Sequence, residues 1–262
     1  MTITSADSKL ERVSLDMEDA VARIILRNSP VNVIDFRMME ELSQVLAEIE
    51  SQSHVMAVIL SGEGRAFSAG VDIADHTPDK VEEMLTKFHA LVRTLVAVRK
   101  VTVAAVHGLC LGGGAELAMV CDLVYTSEDA EWGFPEIKLG CFPPVACTAL
   151  AALVGQKKAA ELILTGRSLT GREAAEIGLA TRSVEDSLLS SAVQVCIGQL
   201  MRLSPAALST AKKASYAWDS MHFDKGLARA EKVYFEDLLK SEDAQEGIRA
   251  FLEKRPPKWT GR

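Results

Sequence analysis

The sequence predicts an α/β protein, a largely parallel sheet followed by a helical C-terminal region. Three observations carry this. The runs VMAVIL (55–60) and VTVAAV (101–106) are apolar without alternation, as expected of strands buried on both faces. They alternate with stretches whose apolar residues recur at helical spacing, the βαβ order that right-handed crossovers join into a parallel sheet. From about residue 145 onward strand signals thin out and helix signals follow one another.

Taken in order, RVSLDM (11–16) and VARIIL (21–26) read as a hairpin turning at Glu18-Asp19, and Asn28-Ser29-Pro30 ends its second strand. Residues 36–50 place Met38, Met39, Leu42, Val45, Leu46 and Ile49 on one helical face, with Asp35 as the N-cap. The strand VMAVIL runs into SGEGRAFSAGVD, a loop with three glycines. Thr77-Pro78 is expected to open a long helix whose stripe is Val81, Met84, Leu85, Phe88, Leu91, Val92, Leu95 and Val96. The strand 101–106 ends at His107-Gly108, and Gly112-Gly113-Gly114 leads into the helix-forming AELAMV. LVYT (123–126) is a further strand, followed by the turn-rich EWGFPEIKLGCFPP.

Beyond it, Gly166 closes a helix, Thr170 to Glu173 forms a capping box, and Gly178 closes the next helix. Ser204-Pro205 opens another, and residues 222–239 and 242–253 are expected as two more, stopped by Pro256-Pro257. The expected division is a sheet-based core over 1–200 and a helical region over 201–262.

The 262 residues suffice for such a core, and the net charge of −7 argues against nucleic acid as the main partner. Five cysteines without a C-x-x-C pair read as reduced, mostly buried thiols of a cytoplasmic protein. The N-terminus MTITSADSKLERV has no hydrophobic targeting core, and no run is long enough to span a membrane. His54, His76, His89, His107 and His222 show no metal-ligand spacing, so no metal is assigned. His107 reads as a core imidazole and Cys110 as a packing thiol. No G-x-S-x-G elbow, G-K-[ST] loop or G-x-G-x-x-G fingerprint is present.

Chemistry concentrates at two glycine-bearing loops after buried strands, one around Gly70 and one around Gly113. Each could offer a backbone N–H to a ligand oxygen, and two donors aimed at one oxygen make an oxyanion hole. The same glycines could equally serve only tight turns. Glu116 follows the glycine triplet directly, and Glu136 stands between Pro135 and Ile137. Paired carboxylates in an apolar pocket can hold different protonation states, one as acid and one as base. A first-turn helix residue and a loop charge are the plainer readings. Asp72 could be catalytic or could cap the following segment.

IILRNSPVNVID, GRAFSAGVDI, AAVHGLCLGGGAELAMVCDLVYTSEDAEWGFPEIKLG and GIRAFLEKRPPKW together resemble the crotonase (enoyl-CoA hydratase/isomerase) superfamily, from about residue 10 to 258. The resemblance implies a crotonase-like spiral of ββα turns with a helical C-terminal region that mediates oligomerisation, as a homotrimer or dimer of trimers. It implies an acyl-CoA thioester as substrate, with coenzyme A part of that substrate and no separate cofactor. It assigns the oxyanion hole to the amides of Val71 and Gly113, and acid/base work to Glu116 and Glu136. Ala69, Gly70, Asp72 and Ile73 are the residues expected along the substrate and CoA path. The presence of both glutamates favours water addition over isomerisation, decarboxylation or thioester hydrolysis.

CFPPVACTAL (141–150) and IADHTPDKVEEMLTKFHALVR depart from the ordinary hydratases. The features N-V-I-D (32–35), D-H-x-P-D (75–79), F-H-x-L-V-R (88–93) and L-G-x-F-x-P (139–144) together resemble the cyclohexa-1,5-diene-1-carbonyl-CoA hydratases of benzoyl-CoA degradation, which form 6-hydroxycyclohex-1-ene-1-carbonyl-CoA. A short-chain trans-2-enoyl-CoA hydratase of β-oxidation is the alternative, and an RNA-binding or scaffold homologue is the alternative of another class. Acyl selectivity is expected around Met84, Phe88, Trp132 and Phe142.

Overall fold

The computed structural model describes residues 10–261, apart from the side chains of 216–222. The polar stretch 1–9 and the side chain of His222 lie outside the described residues. The N-terminal hairpin forms as β1 (Val13–Glu18) and β2 (Val21–Leu26), antiparallel, with Asp19 in the left-handed region at the turn (φ 53°). β2 then pairs in parallel with β3 (Ala57–Gly62), followed by β5 (Val101–Val106), β7 (Leu123–Ser127) and β10 (Arg182–Val184). This is one sheet of six strands in the order β1-β2-β3-β5-β7-β10.

Each central strand is succeeded by a three-residue strand of a second sheet. These are β4 (Ala66–Ser68), β6 (Leu109–Leu111) and β8 (Glu131–Gly133), joined at the edge by antiparallel β9 (Ser168–Thr170). Two strands and a helix therefore make each turn of a spiral. Periodicity does not indicate the second sheet, because three residues are too few to show alternation.

The central strands are apolar throughout because both faces are covered. Val58, Leu60, Ala104 and Val106 face the main core with α1 (Phe36–Ser51) and α2 (Val81–Ala97). Ala57, Ile59, Val101 and Val103 face Leu189, Val193 and Ile197 of α7 (Leu189–Leu200). In α1 the six expected apolar residues are at most 2% exposed, each worth roughly 1.5–3 kcal/mol on burial. Asp35 accepts from the Met38 N–H at 2.8 Å, a cap worth about 1 kcal/mol.

Two helix boundaries differ from expectation. α2 begins at Val81 rather than at Thr77-Pro78, because Asp72 caps a separate 3₁₀ turn (Ile73–His76). Lys80 and Val81 then both donate to the Thr77 carbonyl, which turns the chain into the helix. In the C-terminal region Ser204-Pro205 does open a helix, but α8 (Pro205–Glu236) runs on through residue 222 as one element. Gly226 does not break it, since bare backbone is needed there: a Cβ would stand 2.6 Å from Thr148 Cγ2 of α4 (Pro144–Val154). Residue 200, where the division is expected, is the last of α7, and α8 begins at Pro205. Lys212 ties α8 to the sheet, pairing with Asp122 at 2.7 Å and donating to the Lys100 carbonyl.

α5 (Gln156–Thr165) ends at Gly166, the capping box opens α6 (Gly171–Glu176), and α9 (Glu242–Leu252) closes the fold. Four cysteines are buried and Cys147 is exposed. Among the described residues no helix is long and apolar enough to cross a membrane.

Candidate active site

The site forms where the two glycine loops meet. The first is held from beneath by Asn32, 1% exposed, whose amide donates to the carbonyls of Glu63, Ala66 and Phe67. Ser68 Oγ donates to the Asn32 carbonyl at 2.7 Å and accepts from Gly70 N–H at 3.1 Å. Ile34 makes an isolated parallel bridge to Val71, bonding Gly70 O at 2.8 Å and Asp72 N at 3.1 Å. A parallel bridge uses the neighbours of the facing residue, so the N–H of Val71 points away from Ile34, to the cavity side.

The second loop is the turn from β6 into α3 (Gly113–Met119). Gly112 has φ 50° and ψ −127°, a conformation open to glycine alone, and Gly112 N–H is held by the Gly133 carbonyl at 2.9 Å. The first intrahelical bond runs from Glu116 N–H to Gly112 O, leaving Gly113 N–H in the unpaired first turn. A Cβ on Gly70 would lie 3.4 Å from Gly113 N, so the loops touch through bare backbone.

Glu116 is 3% exposed and accepts from Ala146 N–H through Oε1 at 2.9 Å. The donor comes from the unusual CFPPVAC segment, which thus has a part in orienting this carboxylate. Glu136 lies in a 3₁₀ turn (Pro135–Leu139), against Gly112: a Cβ there would be 2.7 Å from its Oε1. Its Oε2 is buried and has no hydrogen-bond partner. Burial pushes Glu116 up to about 7, opposed by the N–H groups of Ala146 and Val145. Burial, and then the charge of Glu116, push Glu136 up to about 8. At neutral pH the coupled pair therefore holds at least one proton.

These groups line one cavity, roughly 560 Å³ including its open side. Ala69, Gly70, Val71, Ile73, Gly113, Glu116 and Glu136 all stand on it. Asp72 does not; its carboxylate turns back to cap Ala74 N–H at 2.9 Å. Of the residues expected to shape acyl selectivity, Met84, Phe88 and Phe142 line the cavity. Trp132 is instead fully buried elsewhere, its indole donating to Thr126 Oγ1 at 3.0 Å.

His107 is half-buried and bonds the Gly64 carbonyl at 2.9 Å, rather than sitting in the core. Cys110 is fully buried, and burial pushes its thiol up, as a packing residue requires. Sequence reasoning misses Tyr234, which α8 brings to the cavity, and His76 and Pro143-Pro144. Nothing local marks Tyr234. The unusual composition of the CFPPVAC segment is the available signal for the prolines.

Two glycine loops thus line one cavity with a pair of buried carboxylates. The enoyl-CoA hydratase/isomerase family model matches residues 16–262. The chain belongs to that family. It is 35% identical to a cyclohexa-1,5-dienecarbonyl-CoA hydratase of Thauera aromatica, over 99% of this chain and 100% of that one. It is also 35% identical to a short-chain-enoyl-CoA hydratase of Clostridium acetobutylicum, over 94% and 97%. Among solved structures, an enoyl-CoA hydratase from Mycobacterium avium subsp. paratuberculosis superposes with TM-score 0.86 at 27% identity, covering 96% of this chain and 99% of that one. Membership makes this chain a hydro-lyase of the enoyl-CoA hydratase type, with which an acyl-CoA substrate is consistent.

Proposed function

We propose that this enoyl-CoA hydratase adds water to cyclohexa-1,5-diene-1-carbonyl-CoA, giving 6-hydroxycyclohex-1-ene-1-carbonyl-CoA. The observation that carries the hydration chemistry is the pair of buried glutamates with raised pKa values on the cavity that Val71 and Gly113 also line. The cyclic acyl group is supported by the walls of that cavity. Phe88, Phe142 and Tyr234 with Pro143 and Pro144 offer flat, rigid apolar surfaces suited to a ring. The full-length likeness to the Thauera enzyme points the same way.

The thioester oxygen accepts from the amides of Val71 and Gly113, each donor worth a few kcal/mol where charge develops on that oxygen. Because the charge appears only as water adds, this stabilises the transition state over the ground state. Glu116, with Oε1 held by Ala146, presents its other oxygen to water and takes a proton as the water oxygen attacks. Glu136, in its protonated form, delivers its proton to the substrate carbon. Return of the proton from Glu116 to Glu136 resets the pair, so one water is added in each cycle. Atoms and protons balance with the thioester, one water and these residues.

Glu116→Gln and Glu136→Gln keep the shape of each side chain and remove its proton transfer. Each is expected to lose roughly 10²-fold or more in kcat in a spectrophotometric assay of thioester hydration. Near-normal turnover in either variant removes that residue from its role.

A further inference from the structure

A second cavity, about 920 Å³ including its open side, adjoins the catalytic one. It lies between the 3₁₀ turn after the first glycine loop and α9, and its apolar lining includes Pro78, Leu239, Ala244, Ile248 and Leu252. Two side chains line both cavities, His76 and Tyr234. They are the wall between them.

The wall is pinned from both sides. Tyr234 is 1% exposed and its ring meets Phe142 edge-on at 5.0 Å. Beside it, Cys141 lines the far cavity and its Sγ donates to the Leu139 carbonyl at 3.7 Å. His76 Nδ1 donates to the Asp72 carbonyl at 3.0 Å, and burial holds the ring neutral. The wall also stands at a particular end of the substrate. Tyr234 and Phe142 line the same cavity as Glu116 and Glu136, and Val71 and Gly113 of the glycine loops line it too. With the thioester on the glycine loops and the double bond at the glutamates, as proposed above, the acyl group beyond the double bond is what Tyr234 meets. The far cavity suits apolar matter rather than phosphate: its Arg249 is already bonded to Glu246 Oε2 at 2.8 Å.

We propose that Tyr234, with His76, is the specificity-determining partition of this enzyme, closing the acyl pocket to all but compact acyl groups. The cavity behind it is an apolar extension that takes the distal carbons of a longer chain once the partition is trimmed. The inference rests on the acyl-CoA hydratase reading above and adds to it the residues that limit acyl size. Tyr234 acts by packing and transfers no proton.

The test is kcat/KM for hydration of crotonyl-CoA, trans-2-hexenoyl-CoA and trans-2-decenoyl-CoA by the full-length enzyme and its variants. In the wild type the decenoyl ester is the poorest substrate. Tyr234→Ala is expected to raise the decenoyl-to-crotonyl ratio by at least about tenfold, as several newly seated methylenes would. Tyr234→Phe, which keeps the ring, retains the wild-type ratio. His76→Ala trims the less buried half of the wall and moves the ratio in the same direction, so the result does not hang on one variant folding. Adding Ile248→Trp to Tyr234→Ala refills the far cavity and abolishes the gain.

An unchanged ratio in both Tyr234→Ala and His76→Ala overturns the proposal. So does an equal rise in KM for all three thioesters, which would place the CoA handle, and not the acyl end, in the second cavity. A wild type that hydrates no enoyl-CoA, linear or cyclic, contradicts the hydratase reading itself, a separate outcome.

Discussion

Glu136 Oε2 is a buried acceptor with no partner, beside a second carboxylate in the same cavity. Burial, and then the charge of Glu116, push Glu136 up to about 8, and burial pushes Glu116 up to about 7. The two carboxyls titrate as one coupled pair, in two steps. Below the lower step both are protonated, and the proposed mechanism has no carboxylate to accept a proton from water. Above the upper step both are ionised, and it has no proton to give the substrate. The kcat/KM profile is thus expected to be bell-shaped with its maximum between those values, and Glu116→Gln is expected to lose the acidic limb. A profile flat across both limbs contradicts the assignment. Sequence spacing brings both glutamates forward as candidates, but two residues twenty apart carry no information about a shared cavity. The family resemblance supplies the pairing, and only the fold shows the burial that raises both.

At the scale of elements, the β6–α3 turn decides whether the pair can form. Gly112 does two things at once: it adopts a conformation closed to other residues, and it leaves room for the Glu136 carboxylate. Gly112→Ala would set a Cβ 2.7 Å from Glu136 Oε1 in a strained backbone, so the turn and the carboxylate must both shift. The expected result is a loss of roughly 10²-fold in kcat, with a smaller change in KM, because the binding walls on α2 and α8 are untouched. Unchanged kcat in a folded Gly112→Ala variant would show that the contact with Glu136 is not needed. The glycine triplet is legible as a turn from the sequence alone, because three glycines between a buried strand and a helix former have few other uses. Which glycine faces which carboxylate is not, since that depends on the angle at which a separate 3₁₀ turn arrives. The start of α2 eludes sequence reading for a related reason. A threonine-proline pair is a helix-start signal, but here the carboxylate of Asp72 winds its own turn first.

For the whole molecule, the central strands and their parallel pairing are readable because burial on both faces leaves no alternation to confuse with a helix. The second sheet is not readable, nor is the closure of the cavity by α8. Tyr234 is 118 residues from Glu116 in sequence, and only the return of a long helix over the core joins them. That return sets Tyr234 beside Phe88 and Phe142 on the cavity, and the proposal of a compact cyclic acyl group depends on it. That assignment is checked by kcat/KM on cyclohexa-1,5-diene-1-carbonyl-CoA against crotonyl-CoA with the same enzyme preparation. The cyclic thioester is expected to be preferred by at least about tenfold, a difference of about 1.4 kcal/mol at the transition state. Equal or better turnover of crotonyl-CoA would contradict it.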